Sequence, residues 1–441
     1  RASDEIGAIR RFQLASGEWL SEQLLRLSDR AHAFSYAIVD SDVPLFDYVA
    51  HVELKPVTDS GRTFWRWWSQ FRAPDGRESE MATLVAEGVY DAGFDGLRRS
   101  LDTRPRTVVG AGDLAGQSVI ADRHGGPDVL RYAPCVAPAP GQGEVRLKQS
   151  AIGVNFIDVY TRTGYFGLIE PPAVLGMEAA GTVVDTGPGV NHLKPGDRVG
   201  YACAPPGAYA SIRTMPADLV VKLPDEIDDQ TAAALLKGVT AWFLLHKVHR
   251  LEPGQTALVF APAGGVGHLL VQWAARLGAR VIAATTTDQK ANAALASGAS
   301  DVVRPGMTSL EDQVKALTAG RGVDVVFDAV GRDSFQHSLA ALATCGHLVS
   351  FGQASGDIGA REIGPLAAKS ITLSRPNYGH YTDTPQRMNE ACSALFSALK
   401  RGDLRVDIGQ RFALSEAATA HAALESRQTI GTTIMIPEDE E

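Results

Sequence analysis

Cysteine is scarce and nowhere clustered. Cys135, Cys203, Cys345 and Cys392 are the only four in 441 residues. They form no CxxC pair and have no metal-ligand spacing, which argues against a cysteine-built metal site and for free thiols in a reducing cytoplasm. Long apolar runs are also missing, since none reaches the about 18 residues expected of a membrane-spanning helix. Positive charge is in deficit, with Lys+Arg 42 against Asp+Glu 51, a net charge of −9 and a pI near 5.7. That balance disfavours a general nucleic-acid or membrane-surface binder. No apolar signal core opens the chain; a polar start at Arg1 reads as a fragment or processed product rather than a secretory precursor. The remaining composition, 45% hydrophobic and 21% charged, is that of a globular protein of roughly two to three domains.

The stretch around which the rest is arranged is TALVFAPAGGVGHLLVQWAARLG, residues 256 to 278. Five apolar residues (Thr256–Phe260) read as a buried strand, followed by a glycine-rich turn. Val266, Leu269, Leu270, Trp273, Ala274 and Leu277 then recur as one helix face. Strand, tight turn and helix are the opening unit of a dinucleotide-binding fold. The turn reads AxxGxxG from Ala261 through Gly264 to Gly267, with Pro262 where a first glycine is usual. Gly264 allows a pyrophosphate close to the backbone, and Gly267 allows close packing of helix on strand; the N–H groups of Gly265 and Val266 then face the phosphates. Pro262 removes one donor and is expected to hold Ala261 in extended geometry. A lone loop of this kind is equally an ordinary glycine turn, so its surroundings must decide.

Tryptophan is concentrated at the front, with Trp19, Trp65, Trp67 and Trp68 among the six. Gly7–Leu14, Trp19–Ser28, Ala33–Asp40, Asp47–Pro56 and Thr63–Phe71 alternate as antiparallel strands, and a helical pattern runs from Glu78 to Leu101. Tyr36, Tyr48, Trp67 and Phe71 either line a ligand pocket or fill a core. His32 and His51 read as solvated strand-end residues. Residues 105 to 117 carry Gly, Asp and Pro with no sustained period and read as a linker. Beyond Ser118 the texture is β-rich and punctuated by Gly and Pro; after Glu252 strands and helices alternate, which implies a parallel sheet covered on both faces. His246 and His249 sit three apart without a third ligand and read as surface histidines. Residues 438–441 read as a solvated acidic tail.

Two resemblances follow from the motifs. GAIRRFQL, FSYAIVDSDVPLFDYVAHVELKPV, RTFWRWWSQF and YDAGFDGLRRSL make residues 1–104 similar to the START-like (SRPBCC, polyketide cyclase/dehydrase-like) helix-grip superfamily, without its usual first strand and two short helices. HGGPDVL, AIGVNFIDVYTRTGYF, LGMEAAGTVVDTGPGV, ALLKGVTAWFLL, APAGGVGHLLVQWA, FDAVGRD, LVSFGQASG and ESRQTIG make residues 118–437 resemble the quinone oxidoreductase (zeta-crystallin-like) branch of the zinc-independent medium-chain dehydrogenase/reductases. The fold they imply is an α+β helix-grip domain followed by a GroES-like β-rich catalytic domain with an inserted α/β Rossmann nucleotide-binding domain. Its segments are 118–240 and 375–437 for the catalytic domain and 241–374 for the nucleotide domain.

The second resemblance also implies a site. Asn155 stands where the family's zinc-binding cysteine falls, and Met177 replaces the histidine of Gly-His-Glu; the remaining Glu178 cannot hold zinc alone. Hydride delivery to an already polarised acceptor, a quinone or α,β-unsaturated carbonyl, is therefore expected. Asn155 and Tyr160 fall on the nicotinamide's substrate side as the catalytic pair. Lys237 and Thr240 fall by the nicotinamide or its ribose, and Gly331, Phe351 and Gly352 on cofactor-lining strand ends. Strand RVIAA ends in Thr285-Thr286-Thr287 with no carboxylate before Asp288, and Lys290 follows where a cation meets the 2′-phosphate of NADPH. Arg304 compensates for a family tyrosine at Pro305; Arg375 and Arg427 are further cofactor-side candidates or structural ion-pair residues. The implied assembly is a homodimer, with 370–374 a candidate edge. A competing reading keeps NADPH without turnover: a hydrophobic-ligand carrier or sensor using residues 1–104, or a crystallin- or RNA-binding-like protein, the last disfavoured by charge.

Overall fold

The computed structural model describes residues 5–13, 17–28, 32–57, 62–91, 112–306 and 308–438. The chain divides into two compact units, Arg1–Arg106 and Thr107–Glu441.

The first unit is an antiparallel meander of Ile9–Gln13, Trp19–Ser28, Ala33–Ser41, Phe46–Val57 and Arg62–Arg72, paired in chain order. Alternation along the strands puts Leu20, Tyr36, Tyr48, Ala50 and Val52 on one buried face. That face packs against Met81 and Val85 of a helix described over Glu78–Thr83 and then Leu84–Asp91 as a wider π turn. The rest of the expected helix, including Ala92 and Leu97, lies outside the described residues. Tyr36, Tyr48, Trp67 and Phe71 belong to one aromatic core cluster, ring against ring. His51 is not a solvated end residue. It sits mid-strand, part-buried, its ring tilted against Trp68 at 5.2 Å and its Nδ1 2.8 Å from the Ser35 hydroxyl.

The second unit has two main sheets. A seven-stranded, mostly antiparallel sheet is centred on Glu144–Gly153 and Glu178–Thr186, and the chain's last strand, Thr432–Ile436, returns to pair with Gly153 and Ile152. The first strand of this unit, Leu114–Ala121, begins inside the segment expected to be linker. A six-stranded parallel sheet runs Asp301–Val303, Arg280–Ala284, Thr256–Phe260, Val323–Asp328, Leu342–Ser350, Thr372–Ser374. This is the 3-2-1-4-5-6 order of a dinucleotide-binding sheet. Burial on both faces explains the unbroken apolar run of its first strand: Ala257 and Val259 enter one core, Leu258 and Phe260 the other. No helix among the described residues is long and apolar enough to cross a membrane.

Candidate active site

Gly264–Gly267, Thr286, Lys290, Arg304, Gly331, Phe351, Gly352 and Arg375 follow the carboxyl ends of the parallel strands, the end at which such sheets bind ligands. After Phe260 the chain reverses through Ala261, and Gly264 donates its N–H to the Ala261 carbonyl at 3.1 Å. Ala261 is not extended as its proline neighbour suggested; its φ is 51°, left-handed. Closing strand onto helix within three residues demands that reversal and overrides the bias set by Pro262. Gly267 is then the indispensable glycine, because a Cβ there would lie 2.1 Å from the Ala261 oxygen. At Gly264 a Cβ would meet only that oxygen, at 3.5 Å, so space is open in front of the loop. The helix Gly265–Arg276 begins here, and its first bond is His268 N–H to Gly264 O. The N–H groups of Gly265, Val266 and Gly267 therefore have no intrahelical acceptor, the arrangement of a helix start that can receive an anion.

Two other segments close on this loop. Lys237 lays its aliphatic stem against Gly265, where a Cβ would be 2.9 Å from Cδ. Gly431 donates its N–H to the Ala263 carbonyl at 2.7 Å, which brings Arg427 near the next strand end. There Lys290 donates its ammonium to the Arg427 carbonyl, and Arg427 holds a left-handed φ of 58°. Burial, then the Arg427 charge, lowers the Lys290 pKa. Arg427 itself reaches the Asp333 carboxylate at 3.8 Å, the ion pair the sequence left open for it, so Lys290 is the cation here that no carboxylate among the described residues engages and that suits an anion. Asp288, the nearest acid in sequence, is engaged by Arg304 at 2.5 Å. Arg304 thus reaches Asp288 rather than standing free, and Thr286 is exposed beside it.

The residues expected on the substrate side belong to the helix Phe156–Arg162, capped by Asn155. The Asn155 amide donates to Glu178 Oε1 at 2.8 Å, and Lys237 makes a buried ion pair with the same oxygen. Leu236 N–H donates to the other carboxylate oxygen at 2.6 Å. Lys237 therefore acts on Glu178 and the glycine loop together, while Thr240 bonds back to the Leu236 carbonyl. Met177 is core, and among the described residues no three of His, Cys, Asp or Glu gather to hold a metal.

Tyr160 crosses to the nucleotide part. Its phenolic oxygen accepts the Gln353 N–H at 3.0 Å, which leaves its own O–H hydrogen free to donate. Burial raises its pKa; the Gln353 N–H and the Arg375 charge oppose that rise. Arg375 grips Ser350 O and Gly352 O, each at 3.0 Å, and Gln353 Oε1 at 2.5 Å. It braces the strand end carrying Phe351 and Gly352 instead of extending toward a phosphate. Gly331 packs on this turn, where a Cβ would come within 2.8 Å of Gln353 Cα. Tyr165, half exposed, adds a second crossing, its hydroxyl donating to Asp357 at 3.0 Å. Gln353, Asp357 and Tyr165 carried no signal in the sequence. Asp158 carried one: an Asn-x-x-Asp start is a helix-capping pattern.

His246 and His249 are part-buried rather than surface residues. The first bonds the Trp242 carbonyl at 2.8 Å, and the second faces His347, Nδ1 to Nδ1, at 3.1 Å.

Comparison with known proteins decides the family. A model of the alcohol dehydrogenase GroES-like domain matches residues 141–225, and one described as zinc-binding dehydrogenase matches 265–395. A third, polyketide cyclase / dehydrase and lipid transport, matches 3–102. Quinone oxidoreductase of Pseudomonas aeruginosa is 42% identical over 316 residues, 71% of this chain and 97% of the relative. The chain belongs to the quinone oxidoreductase family. A 2-haloacrylate reductase of a Burkholderia species is 38% identical over 330 residues, 73% of this chain and 99% of that protein. The solved structure of Escherichia coli quinone oxidoreductase complexed with NADPH superposes with a TM-score of 0.71 at 40% identity, covering 73% of this chain and all of that one. The family member here thus carries an additional unit of helix-grip type before the part it shares with these relatives.

Proposed function

We propose that this NADPH-dependent reductase delivers hydride to a quinone or an α,β-unsaturated carbonyl. NADPH is its cofactor, and the glycine cradle with Lys290 and Arg427 fits the dinucleotide. Gly264 to Gly267 face the pyrophosphate, Lys290 the 2′-phosphate, and the Gly331 and Phe351–Gly352 strand ends the nicotinamide half. Bound there, NADPH supplies the hydride.

The observation that carries the acceptor reading is the polarity of Tyr160. Because its oxygen already accepts from the Gln353 N–H, its own hydrogen is left for another acceptor. An acceptor carbonyl receives negative charge on oxygen as hydride arrives, and a fixed O–H donor stabilises that charge and then supplies the proton. Asn155 spends one amide hydrogen on Glu178 and keeps a second for the acceptor or the ribose. Mixing the protein with NADPH and a panel of quinones and enones tests the reading; cofactor oxidation no faster than background for every acceptor removes it. We also propose a homodimer joined along the edge strand Thr372–Ser374, to be checked by light scattering; a monomer across the micromolar range overturns it.

A hydrophobic ligand in the first unit has one supporting observation. Leu20, Ile38, Val43, Leu45 and Leu84 line a cavity with Glu22 and Tyr48, and the buried Tyr48 hydroxyl has no hydrogen-bond partner among the described residues. At about 20 Å³ the cavity holds one water, so binding requires the helix to lift. Titration with a lipid and polyketide panel followed by tryptophan fluorescence tests this; an unchanged spectrum removes it.

A further inference from the structure

We propose that Arg162, His421 and Tyr209 form a one-way hydrogen-bond relay that acts through Asp158 to position the helix bearing Asn155 and Tyr160. The proposal rests on the reading of those two residues as the substrate-side groups. Asp158, Arg162, Tyr209 and His421 are all fully buried, in a region where polar side chains survive only if paired. Arg162, at the far end of the helix, grips Glu425 with two nitrogens at 3.0 and 2.8 Å and Gly125 O at 3.0 Å. Its Nη1 also lies 2.9 Å from His421 Nδ1. His421 Nε2 lies 2.9 Å from the Tyr209 hydroxyl, which lies 3.1 Å from Asp158 Oδ2. That oxygen also accepts the Asn155 N–H at 2.8 Å.

The proton positions follow by elimination. Arginine only donates, so Nδ1 of His421 must accept, and a neutral ring then carries its hydrogen on Nε2. Nε2–H donates to the Tyr209 oxygen, which leaves the tyrosine hydrogen for Asp158. Each link points the same way, toward the carboxylate that caps Asn155. The other oxygen, Oδ1, is buried with no hydrogen-bond partner among the described residues, so the carboxylate depends on two donors. Burial and the Arg162 charge push the His421 pKa down to about 3, which keeps the ring neutral as the relay requires. Burial raises the Asp158 pKa to about 7; Asn155 N–H, Tyr209 and Lys237 act against it, and Glu178 adds to it. Tyr209 is thus a positioning residue that holds Asp158 ionised and the cap closed.

The test compares Tyr209→Phe, His421→Leu and His421→Gln in the full chain, reading kcat and the pH dependence of thermal unfolding. Glutamine offers one acceptor and one donor, so it restores the relay; leucine does not. Activity needs the Asp158 carboxylate and is lost on acidification. Tyr209→Phe and His421→Leu should move that limb upward by half a pH unit or more. They should also lower kcat at pH 7 at least fivefold, with KM for NADPH within twofold, while His421→Gln follows the unaltered chain. A raised folded pKa stabilises below the unfolded value and loses that contribution as pH rises through the folded one. The unfolding profile should therefore shift in the same direction, whether or not an acceptor is turned over, which separates failure of the relay from failure of the functional reading. Identical pH profiles for the leucine and glutamine variants overturn the relay. Should His421→Leu fail to fold, Tyr209→Phe decides alone, and a profile unchanged from the parent overturns it.

Discussion

Tyr160 is the residue at which geometry and chemistry meet most directly. Its oxygen is occupied by the Gln353 N–H and its hydrogen is not, so removing the hydroxyl deletes the donor while the ring still packs against Phe166. Tyr160→Phe is expected to lower kcat on the order of 10²-fold, the low end of general acid contributions, with NADPH binding retained. Steady-state kinetics beside an NADPH fluorescence titration separate the two. At the opposite end of the cofactor, Lys290→Met should cost about 1.5 to 3 kcal/mol of NADPH affinity, the worth of a hydrogen bond to a charged group. That is roughly ten- to a hundredfold in Kd, with little change for NADH. Equal losses for both nucleotides would show that Lys290 does not read the 2′-phosphate.

Among elements, the glycine turn sets the steepest requirement. A methyl at Gly267 would overlap the Ala261 oxygen, and neither strand Thr256–Phe260, buried along its length, nor the helix after it can retreat. Gly267→Ala should destabilise by about 1 to 3 kcal/mol, the usual cost of overpacking, and weaken NADPH binding; a variant with unchanged melting temperature and affinity would refute the close packing. This element was legible because strand period, helix period and turn composition are local signals. So was Trp19–Ser28, whose bounds agree residue for residue. The left-handed Ala261 was not, since a dipeptide rule cannot see the closure that forces it. The strand Ile408–Ala413 was also missed, because it exists as partner to Thr432–Ile436 rather than through its own pattern. The relay was out of reach for a similar reason: Tyr209 and His421 are 212 positions apart and meet only in the folded core.

For the whole molecule, the comparisons divide the chain unevenly. The Pseudomonas relative is matched over 97% of its length by 71% of this chain, a length close to that of the second unit, Thr107–Glu441. Within that unit the return strand Thr432–Ile436 closes the catalytic sheet, and Gly431 closes the glycine loop; every residue assigned to the reaction lies between Asn155 and Gly431. A chain of residues 112–441 is therefore expected to fold cooperatively and to oxidise NADPH with a kcat/KM within about threefold of the full protein, a difference of under 1 kcal/mol in transition-state stabilisation. The measurement is the same acceptor assay on both chains, matched by active-site titration with NADPH. A loss beyond tenfold with intact folding would mean that the first unit contributes to catalysis. Its buried Glu22, raised in pKa by burial against the pull of Arg10, would then be the first group to replace.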